Sequence, residues 1–290
     1  MKIIKNCNMA EYTSFKAGGT CERLLIAESE SELSDTLKEI SKDDKKHLLL
    51  GNGSNTLFAD GLYEGTVIKL GDEFNKITAS GNILSCGGSA LLSAAARKAM
   101  DLGLGGLERI SGIPGSIGGA LFMNAGAYGS EMSHVVKRAY VMKSDGGEAY
   151  WLSKDEMNLG YRTSRFKDSQ EIILKVEFQL EKKKISDIKL LMEEYTNRRN
   201  SKQPLNLPSC GSFFKRPEGH FAGALIQNSG LSGYSIGGAQ VSEKHCGFLV
   251  NKGGATASDV LALKDFVQKT VKEKFGVELE PEVRIIKYLD

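Results

Sequence analysis

The chain has 290 residues, of which 41% are hydrophobic and 26% are charged, and its formal net charge is +2. This is the composition of an ordinary globular protein with one large or two smaller domains, and it excludes a disordered chain or a coiled coil. The near-neutral balance also argues against a nucleic-acid-binding surface, which concentrates basic residues well beyond this level.

Glycine is unusually frequent, with 33 residues against only 5 prolines. Because glycine allows tight turns and close approach of the backbone to a ligand, this excess predicts ordered loops rather than low-complexity sequence. No run of about 18 apolar residues occurs, and residues 1–12 contain no apolar signal core. We therefore expect a cytoplasmic protein that neither spans a membrane nor binds nucleic acid.

The cysteines and histidines do not form a metal-binding pattern. The five cysteines are odd in number, widely spaced and without a Cys-x-x-Cys pair, which excludes the usual zinc frameworks and makes a disulfide scaffold improbable. The histidines are scattered and form no His-Glu-x-x-His motif, so we predict no metal site. His47 and His134 are interpreted as structural or solvated.

The first third of the chain contains signals for both helices and strands. A capping box of Ser29 and Glu32 stands before apolar residues at helical spacing, and short apolar runs follow it. In chain order we predict a helix over 29–40, strands over 47–50 and 66–70, a hairpin over 77–86 that turns at 80–82, and a closely packed helix over 90–100.

The remainder of the chain begins with a glycine-dense segment, 103–129, whose interspersed apolar residues predict an ordered, buried loop rather than a linker. After it we predict a hairpin of strands 139–143 and 149–152, a strand over 172–180, a charged break at 181–184 with a domain boundary, a helix through 188–195, a helix from Thr256 to about Gly276, and a strand over 283–289. Hairpins mixed with separated helices predict an α+β fold.

Two glycine-rich loops are candidate ligand sites. The first, residues 51–55, follows a predicted strand, and its backbone N–H groups and polar side chains could face an anion. It lacks the third glycine of the Rossmann fingerprint, no Gly-Lys of a P-loop occurs, and a plain tight turn remains an even alternative. The second comprises 111–120 with 124–129. We favour a large ligand over packing alone, because so many glycines cost conformational entropy.

The sequence Gly233-Tyr234-Ser235-Ile236-Gly237 matches the nucleophile elbow of hydrolases. The elbow needs a strand before the serine, and residues 231–233 do not form one. A triad also needs an acid and then a histidine further along, but only His245 follows, ten residues on. We therefore argue against a hydrolase.

In this order and spacing, the motifs resemble those of the UDP-N-acetylenolpyruvoylglucosamine reductase family over nearly the whole chain. The matching strings are Thr13-Ser14-Phe15-Lys16 with Gly18-Gly19, the 51–55 and 111–119 loops, Asn124 to Gly129, Tyr161-Arg162-Thr163-Ser164-Arg165-Phe166, Gly211-Ser212-Phe213-Phe214-Lys215, Gly237-Gly238-Ala239 and Pro281-Glu282-Val283-Arg284.

The resemblance implies a fold and a reaction. The fold would be the FAD-binding fold of vanillyl-alcohol oxidase and p-cresol methylhydroxylase, with subdomains at 1–70 (rejoined by 277–290) and 71–184, followed by an α+β substrate domain at 185–276. NADPH would reduce the FAD and leave. UDP-N-acetylenolpyruvoylglucosamine would then accept a hydride from flavin N5 at C3 and a proton at C2, giving UDP-N-acetylmuramate for peptidoglycan synthesis.

Three residues match the catalytic positions of that family. Ser212 would donate the proton to C2, since the enolate of a carboxylate is a strong enough base to take it. Arg162 would bind the substrate carboxylate and stabilise the charge that accumulates there. Glu282 would polarise the enol region or position the proton. Without the resemblance, we would interpret these residues as a loop hydroxyl, a surface ion pair and a solvated carboxylate.

The resemblance also implies ligand contacts. The flavin diphosphate would lie on Gly51, Asn52, Gly53, Ser54 and Asn55, and the rest of the FAD would meet Ser111, Gly112, Ile113, Pro114, Gly115, Ser116, Gly118, Gly119, Asn124 and Gly126. The substrate would contact Tyr161, Arg216 and His245. Asn251 is expected to be structural.

The chain departs from one branch of the family, which inserts a tyrosine-bearing loop over the substrate after the strand that follows the Tyr-Arg motif. Here only a short charged break separates Leu180 from Ile185, so the chain resembles the branch without that loop. Cys210 is expected to be a packing residue. The alternatives are another FAD-dependent oxidoreductase on the same fold, such as a hydroxy-acid or alcohol oxidase, and a binding module without turnover. No obligate protein partner is indicated.

Overall fold

The computed structural model describes residues 1–42 and 46–287. The chain forms two compact units, each built from separate stretches of sequence. The first unit comprises Met1–Ile4, Leu24–Asn52 and Gly65–Arg199; the second comprises Lys5–Arg23, Gly53–Glu64 and the chain from Asn200 onward.

Helices and strands are mixed along the chain, as an α+β fold requires. The helices are α1 (Glu30–Lys42), α2 (Leu92–Asp101), α3 (Ile117–Phe122), α4 (Phe166–Ser169), α5 (Ile185–Lys202), α6 (Ala222–Asn228) and α7 (Ala257–Phe275). The strands are β1 (Lys2–Asn8), β2 (Thr20–Ala27), β3 (His47–Leu49), β4 (Thr56–Phe58), β5 (Leu62–Leu70), β6 (Ile77–Ser80), β7 (Ile83–Gly87), β8 (Leu104–Gly105), β9 (Gly126–Ala127), β10 (Ser130–Glu131), β11 (Val136–Met142), β12 (Ala149–Ser153), β13 (Ile172–Gln179), β14 (Glu181–Lys182), β15 (Ser209–Ser212), β16 (Ser235–Ile236), β17 (Ala239–Val241), β18 (Phe248–Asn251) and β19 (Arg284–Ile286).

The main sheet of the first unit has five antiparallel strands in the order β12-β11-β13-β7-β6. Both predicted hairpins are confirmed in it, β6 with β7 and β11 with β12. Its buried face packs on α2 and α3, where small alanines and branched side chains form one core; Leu84, Ala95, Ala96, Ile117, Leu121 and Val176 belong to it. Val176 and Phe178 of β13 alternate into that core, whereas Ile172 and Leu174 belong to a second core of the same unit.

The second unit has a four-stranded sheet in the order β15-β18-β17-β16 and a parallel pair of β4 with β19. Helix α7 buries its apolar face in the same core as Phe213 and Leu57. The predicted start of α7 is confirmed: Thr256 accepts from the Asp259 N–H, and Asp259 accepts in return from the Thr256 N–H. The predicted last strand is described over Arg284–Ile286; residues 288 and 289 of that prediction lie outside the described residues.

Two helices near the glycine-rich loops differ from the sequence predictions. The segment 103–129 was predicted as loop but contains α3, whose Gly118 and Gly119 concealed its helical character. Gly118 allows close packing there, because a Cβ would lie 3.1 Å from the Gly88 carbonyl oxygen. The helix predicted through 188–195 extends to Lys202, and the sequence changes unit between Arg199 and Asn200.

Among the described residues, no helix combines the length and the apolarity that crossing a membrane requires.

Candidate active site

The first glycine loop leaves β3 and runs through residues 51–55. Within the first unit, Lys69 donates to the Gly51 carbonyl oxygen at 2.5 Å, and the Asn52 amide donates to the Pro114 carbonyl oxygen at 2.6 Å. A Cβ on Gly51 would lie 2.6 Å from the Ser116 hydroxyl. The start of this loop is therefore packed closely against the second glycine loop.

The other part of the loop belongs to the second unit. Gly53 has a φ of +64°, and a Cβ there would lie 2.1 Å from the Tyr12 carbonyl oxygen, so packing requires glycine at this position. The Gly53 carbonyl accepts from the Ser14 N–H at 3.0 Å. Among the described residues, none accepts a hydrogen bond from the N–H groups of Asn52, Gly53 or Ser54. These three consecutive donors suit an anionic group.

The second glycine loop leads into α3. The first three N–H groups of α3 all donate hydrogen bonds within the protein. The Ile117 and Gly118 N–H groups donate to the carbonyls of Ala90 and Gly88, and the Gly119 N–H donates to the Ser116 hydroxyl. The buried Ser111 hydroxyl donates to the Glu108 carbonyl. Packing alone thus explains several polar groups of this loop, and the flavin contacts predicted there stay a prediction.

Two basic residues next to these loops were not assigned from the sequence. Burial lowers the pKa of Lys69, whose ammonium group contacts Gly51. Burial also lowers the pKa of Arg199, whose side chain covers Gly112, where a Cβ would lie 2.5 Å from the Arg199 Cδ. Lys69 could have been identified from its position at the end of an apolar strand. Arg199 is one of an ordinary basic pair in the sequence, and only its burial distinguishes it.

Tyr161 and Arg162 are the two central residues of a tight turn in the first unit. Gly160 and Thr163 close this turn with two backbone hydrogen bonds of 3.0 and 3.2 Å. Arg162 has a φ of +52°, which a non-glycine residue rarely adopts, and its Nη2 donates to the Gly126 carbonyl oxygen at 3.0 Å. Its guanidinium also lies over the exposed ring of Tyr161, 5.2 Å from the centroid.

Asn124 lies beside this turn and is completely buried. Its Nδ2 donates to Glu131 Oε1 at 3.0 Å and to the Gly160 carbonyl oxygen at 2.9 Å, while its Oδ1 accepts from the Ser133 N–H at 2.9 Å. Hydrogen bonds from Ser133 and Asn124, with the charges of His134 and Arg162, lower the pKa of Glu131 against the opposing effect of burial. Asn124, Gly126, Tyr161 and Arg162 are therefore brought together in one cluster.

Ser212 and Glu282 both belong to the second unit, on two segments that are joined by backbone hydrogen bonds. The exposed Ser212 ends β15 and pairs with Phe248 of β18. The Glu282 N–H donates to the carbonyl of Phe213, the next residue, at 2.8 Å. Glu282 is fixed from its other side by Asn55, whose Nδ2 donates to the Glu282 carbonyl oxygen at 3.1 Å. The amide of Asn55 thus supports Glu282.

His245 lies in the turn between β17 and β18, close to the strand end that carries Ser212. Its Nδ1 accepts from the Gly247 N–H at 3.1 Å, and its ring packs edge-on against Phe248. Burial lowers the pKa of His245, with a smaller contribution from the Lys202 charge. At neutral pH it is therefore a neutral imidazole that presents an Nε2–H donor. Arg216 is also in this unit, and its guanidinium carbon lies 4.1 Å from the ring centroid of Phe221.

The structure also defines the surroundings of Asn251 and Ser235. Asn251 donates to the carbonyls of Phe15 and Lys16 and accepts from the N–H groups of Gly253 and Ala255, which is the structural role expected of it. Ser235 donates to the Gly233 carbonyl and follows a turn rather than a strand. Within 1–42 and 46–287, no group of three or more His, Cys, Asp or Glu residues is placed to hold a metal ion.

Cys210 is buried, and burial raises its pKa to about 12. Its Sγ lies 3.4 Å from the Thr56 carbonyl oxygen, to which it donates, and it accepts weakly from the Ser14 hydroxyl. A thiol in these surroundings stays protonated at neutral pH, in agreement with the packing role expected from the sequence.

Comparison with family models gives two matches. Residues 21–153 match the FAD binding domain, and residues 203–286 match the C-terminal domain of UDP-N-acetylenolpyruvoylglucosamine reductase. Together the two matches cover most of both units.

Whole-chain relatives carry the same name. The chain is 50% identical over 278 residues to the UDP-N-acetylenolpyruvoylglucosamine reductase of Clostridium perfringens strain SM101, covering 96% of this chain and 91% of the relative. It is 47% identical over 285 residues to that of Clostridium botulinum strain Alaska E43, with 98% and 93% covered. The crystal structure of UDP-N-acetylenolpyruvylglucosamine reductase from Thermus caldophilus superposes with a TM-score of 0.85 at 31% identity, over 98% of both chains.

Proposed function

The chain belongs to the UDP-N-acetylenolpyruvoylglucosamine reductase family, and we propose how its own residues carry out that reaction. It is an FAD-dependent oxidoreductase of peptidoglycan synthesis that uses NADPH. The observation that carries the residue assignments is the hydrogen bond from the Glu282 N–H to the carbonyl of Phe213, the residue that follows Ser212.

The residues of the first glycine loop fit an FAD diphosphate. The N–H groups of Asn52, Gly53 and Ser54 have no acceptor among the described residues, and a diphosphate provides several anionic oxygens. Lys69, bonded to the Gly51 carbonyl, adds a positive charge beside the start of the loop. When bound, FAD supplies the hydride that is added to C3 of the enolpyruvyl group.

Arg162 binds the substrate carboxylate in this proposal. Addition of hydride at C3 leaves negative charge at C2, and conjugation spreads that charge onto the carboxylate. A guanidinium with two parallel donors stabilises the charge as it develops, as an oxyanion hole does. The strained backbone of Arg162, with its φ of +52°, supports a functional role, since such strain persists where the surroundings hold it in place.

Ser212 then donates its hydroxyl proton to C2. A serine is normally a poor acid, but the enolate of a carboxylate is a far stronger base than a carboxylate, so the transfer is favourable. The exposed position of Ser212 at the end of β15 leaves its hydroxyl accessible to a substrate. The outcome is one C–H bond at C3, one at C2 and an alkoxide at Ser212 that solvent reprotonates.

Glu282 acts beside Ser212, orienting its hydroxyl and polarising the enol region. Hydrogen bonds with Phe213 and Asn55 fix its backbone, so the position from which its side chain extends is fixed as well. For the sugar nucleotide, we propose contacts from Tyr161, Arg216 and His245. A neutral His245 would serve as a hydrogen-bond donor to the diphosphate or the sugar rather than as a cation.

We also propose which parts of the chain bind FAD and which bind the substrate. FAD would be held by residues 1–70, rejoined by 277–290, and by residues 71–184, and the substrate would be held by residues 185–276. The break from Gln179 of β13 to Ile185 of α5 holds only the two-residue strand β14, so there is no room for a substrate-covering loop. This supports membership of the branch without that loop. We expect the enzyme to work in the cytoplasm without an obligate protein partner.

An anaerobic absorbance experiment tests the proposal. Purified protein should be yellow, should bleach on addition of NADPH, and should recover its colour on addition of UDP-N-acetylenolpyruvoylglucosamine. UDP-N-acetylglucosamine, which lacks the enolpyruvyl group, is the matched control and should leave the flavin reduced. Flavin that ignores both sugar nucleotides would indicate another oxidoreductase on this fold, and protein that cannot be reconstituted with FAD would overturn the cofactor.

A further inference from the structure

Asn124 connects the 124–131 segment to the turn that carries Arg162. Its amide donates through one hydrogen to Glu131 Oε1 and through the other to the Gly160 carbonyl oxygen, 3.0 and 2.9 Å away. Its oxygen accepts from the Ser133 N–H. With both donors used and an exposure of 0%, this side chain is directed at the protein rather than at a ligand.

The bond to Gly160 reaches the base of the Arg162 turn. Gly160 and Thr163 are the paired ends of that turn, and Arg162 adopts its left-handed backbone between them. From the other end, the Arg162 guanidinium donates to Gly126, which pairs with Glu131 across β9 and β10. The same short segment therefore holds both the backbone and the charged end of Arg162.

We propose that Asn124 is a positioning residue for Arg162, whose bond to the Gly160 carbonyl sets the direction in which the guanidinium meets the substrate carboxylate. The inference rests on the role given to Arg162 under the proposed function. A guanidinium recognises a carboxylate through two parallel hydrogen bonds, and this geometry tolerates little rotation. Losing the bond between Asn124 and Gly160 should therefore weaken binding of the carboxylate specifically.

The double variant Asn124→Asp with Glu131→Gln breaks this bond with little other change. An aspartate tolerates the φ of +41° at position 124, and the net charge of the pair is conserved. The introduced glutamine can donate to the introduced aspartate, so the hydrogen bond between the two positions is kept. The donor to the Gly160 carbonyl is lost, and the Ser133 hydroxyl, which donates to Glu131 Oε1, must turn to another acceptor. Glu131→Gln alone is the matched control, because it changes the charge but keeps the bond from Asn124 to Gly160.

The measurement is calorimetric binding of two ligands to the FAD-loaded protein. UDP-N-acetylmuramate carries the carboxylate and UDP-N-acetylglucosamine does not. The double variant should bind the first about tenfold more weakly, as expected for a binding group displaced by a fraction of an ångström, and the second unchanged. Glu131→Gln alone should show no selective loss. In an Arg162→Ala background the double change should cause no further loss, because coupled residues are not additive.

Failure of the inference can be told apart from failure of the proposed function. If Arg162→Ala itself leaves both affinities unchanged, the role of Arg162 is wrong. If Arg162→Ala is selective but the double variant weakens both ligands equally, or neither, Asn124 does not position Arg162. Asn124→Gly, which accepts the positive φ without strain, is the second variant and should show the same selectivity. Loss of FAD from both variants would also overturn the inference, since Asn124 would then support the fold alone.

Discussion

The backbone N–H of Glu282 donates to the carbonyl oxygen of Phe213 at 2.8 Å. This bond joins the segment after β15 to the segment before β19, far apart in the sequence, and it sets Glu282 beside the residue that follows Ser212. The neighbouring bond from the Lys215 N–H to the Glu280 carbonyl continues the pairing. The segment that carries the proposed proton donor Ser212 and the segment that carries Glu282 are therefore held in fixed register.

Replacing Ser212 with Ala tests the donor. Flavin reduction by NADPH should be nearly unchanged, whereas reoxidation by the enolpyruvyl substrate should slow by a factor of about 100 to 10,000, the usual contribution of a positioned acid. Anaerobic stopped-flow absorbance measures the two half-reactions separately. Ser235→Ala is a suitable control, because that hydroxyl bonds to Gly233 in its own turn. Equal slowing of both half-reactions by Ser212→Ala would show that Ser212 is not the donor.

The sequence predicted most of the local structure because its signals are local. The capping box before α7, the alternation along β13 and the turn residues of both hairpins are each contained in a few neighbouring residues, and each prediction was confirmed. Helix α3 was missed because Gly118 and Gly119 lower its helical propensity, and the reason for Gly118 is a contact with the distant Gly88.

The site was predictable only in part. Residue types at matching motif positions led to the proposal of Arg162, Ser212 and Glu282, but the sequence did not reveal the residues that hold them in place. Asn124 reaches Gly160, and Asn55 reaches Glu282, through hydrogen bonds that depend on tertiary structure. Burial of Arg199 likewise cannot be deduced from a basic pair in a polar helix. Periodicity and motif spacing do not show which distant residues contact each other in the folded protein.

Cys210 should be dispensable for turnover although it lies two residues before Ser212. Because burial raises its pKa to about 12, only about one thiol in 100,000 is ionised at pH 7. Cys210→Ala should therefore keep kcat within about twofold and lose about 1 to 2 kcal/mol of unfolding free energy from the deleted contact. Steady-state assays and urea unfolding measure the two. Rapid alkylation of native Cys210 by iodoacetamide, read by mass spectrometry, would contradict this.

His245 should make the folded protein less stable in mild acid. Burial holds its folded-state pKa below the ordinary 6.5, so as the pH falls below about 6.5 the unfolded chain binds a proton that the folded chain does not. Its contribution to stability is complete above pH 6.5 and is lost as the pH falls toward the folded-state pKa. His245→Asn keeps an acceptor for the Gly247 N–H but cannot titrate.

The measurement for His245 is urea unfolding of both proteins at several pH values between about 8 and 5. The wild-type protein should lose stability relative to His245→Asn as the pH is lowered through this range. A difference between the two proteins that stays constant with pH would mean that the histidine has the same pKa in the folded and unfolded states.

Gly53 and Gly81 provide a matched pair that separates backbone strain from steric conflict. Their φ values are +64° and +60°, so an alanine at either position meets the same unfavourable conformation, worth about 1 to 2 kcal/mol. A Cβ on Gly81 would have no atom within 4 Å, whereas one on Gly53 would lie 2.1 Å from the Tyr12 carbonyl oxygen.

Gly81→Ala should therefore cost about 1 kcal/mol in urea unfolding and keep its FAD. Gly53→Ala should cost about 3 kcal/mol or more and release FAD, because the loop must move to relieve the overlap. Equal losses would show that the approach to Tyr12 is not what requires glycine in this loop.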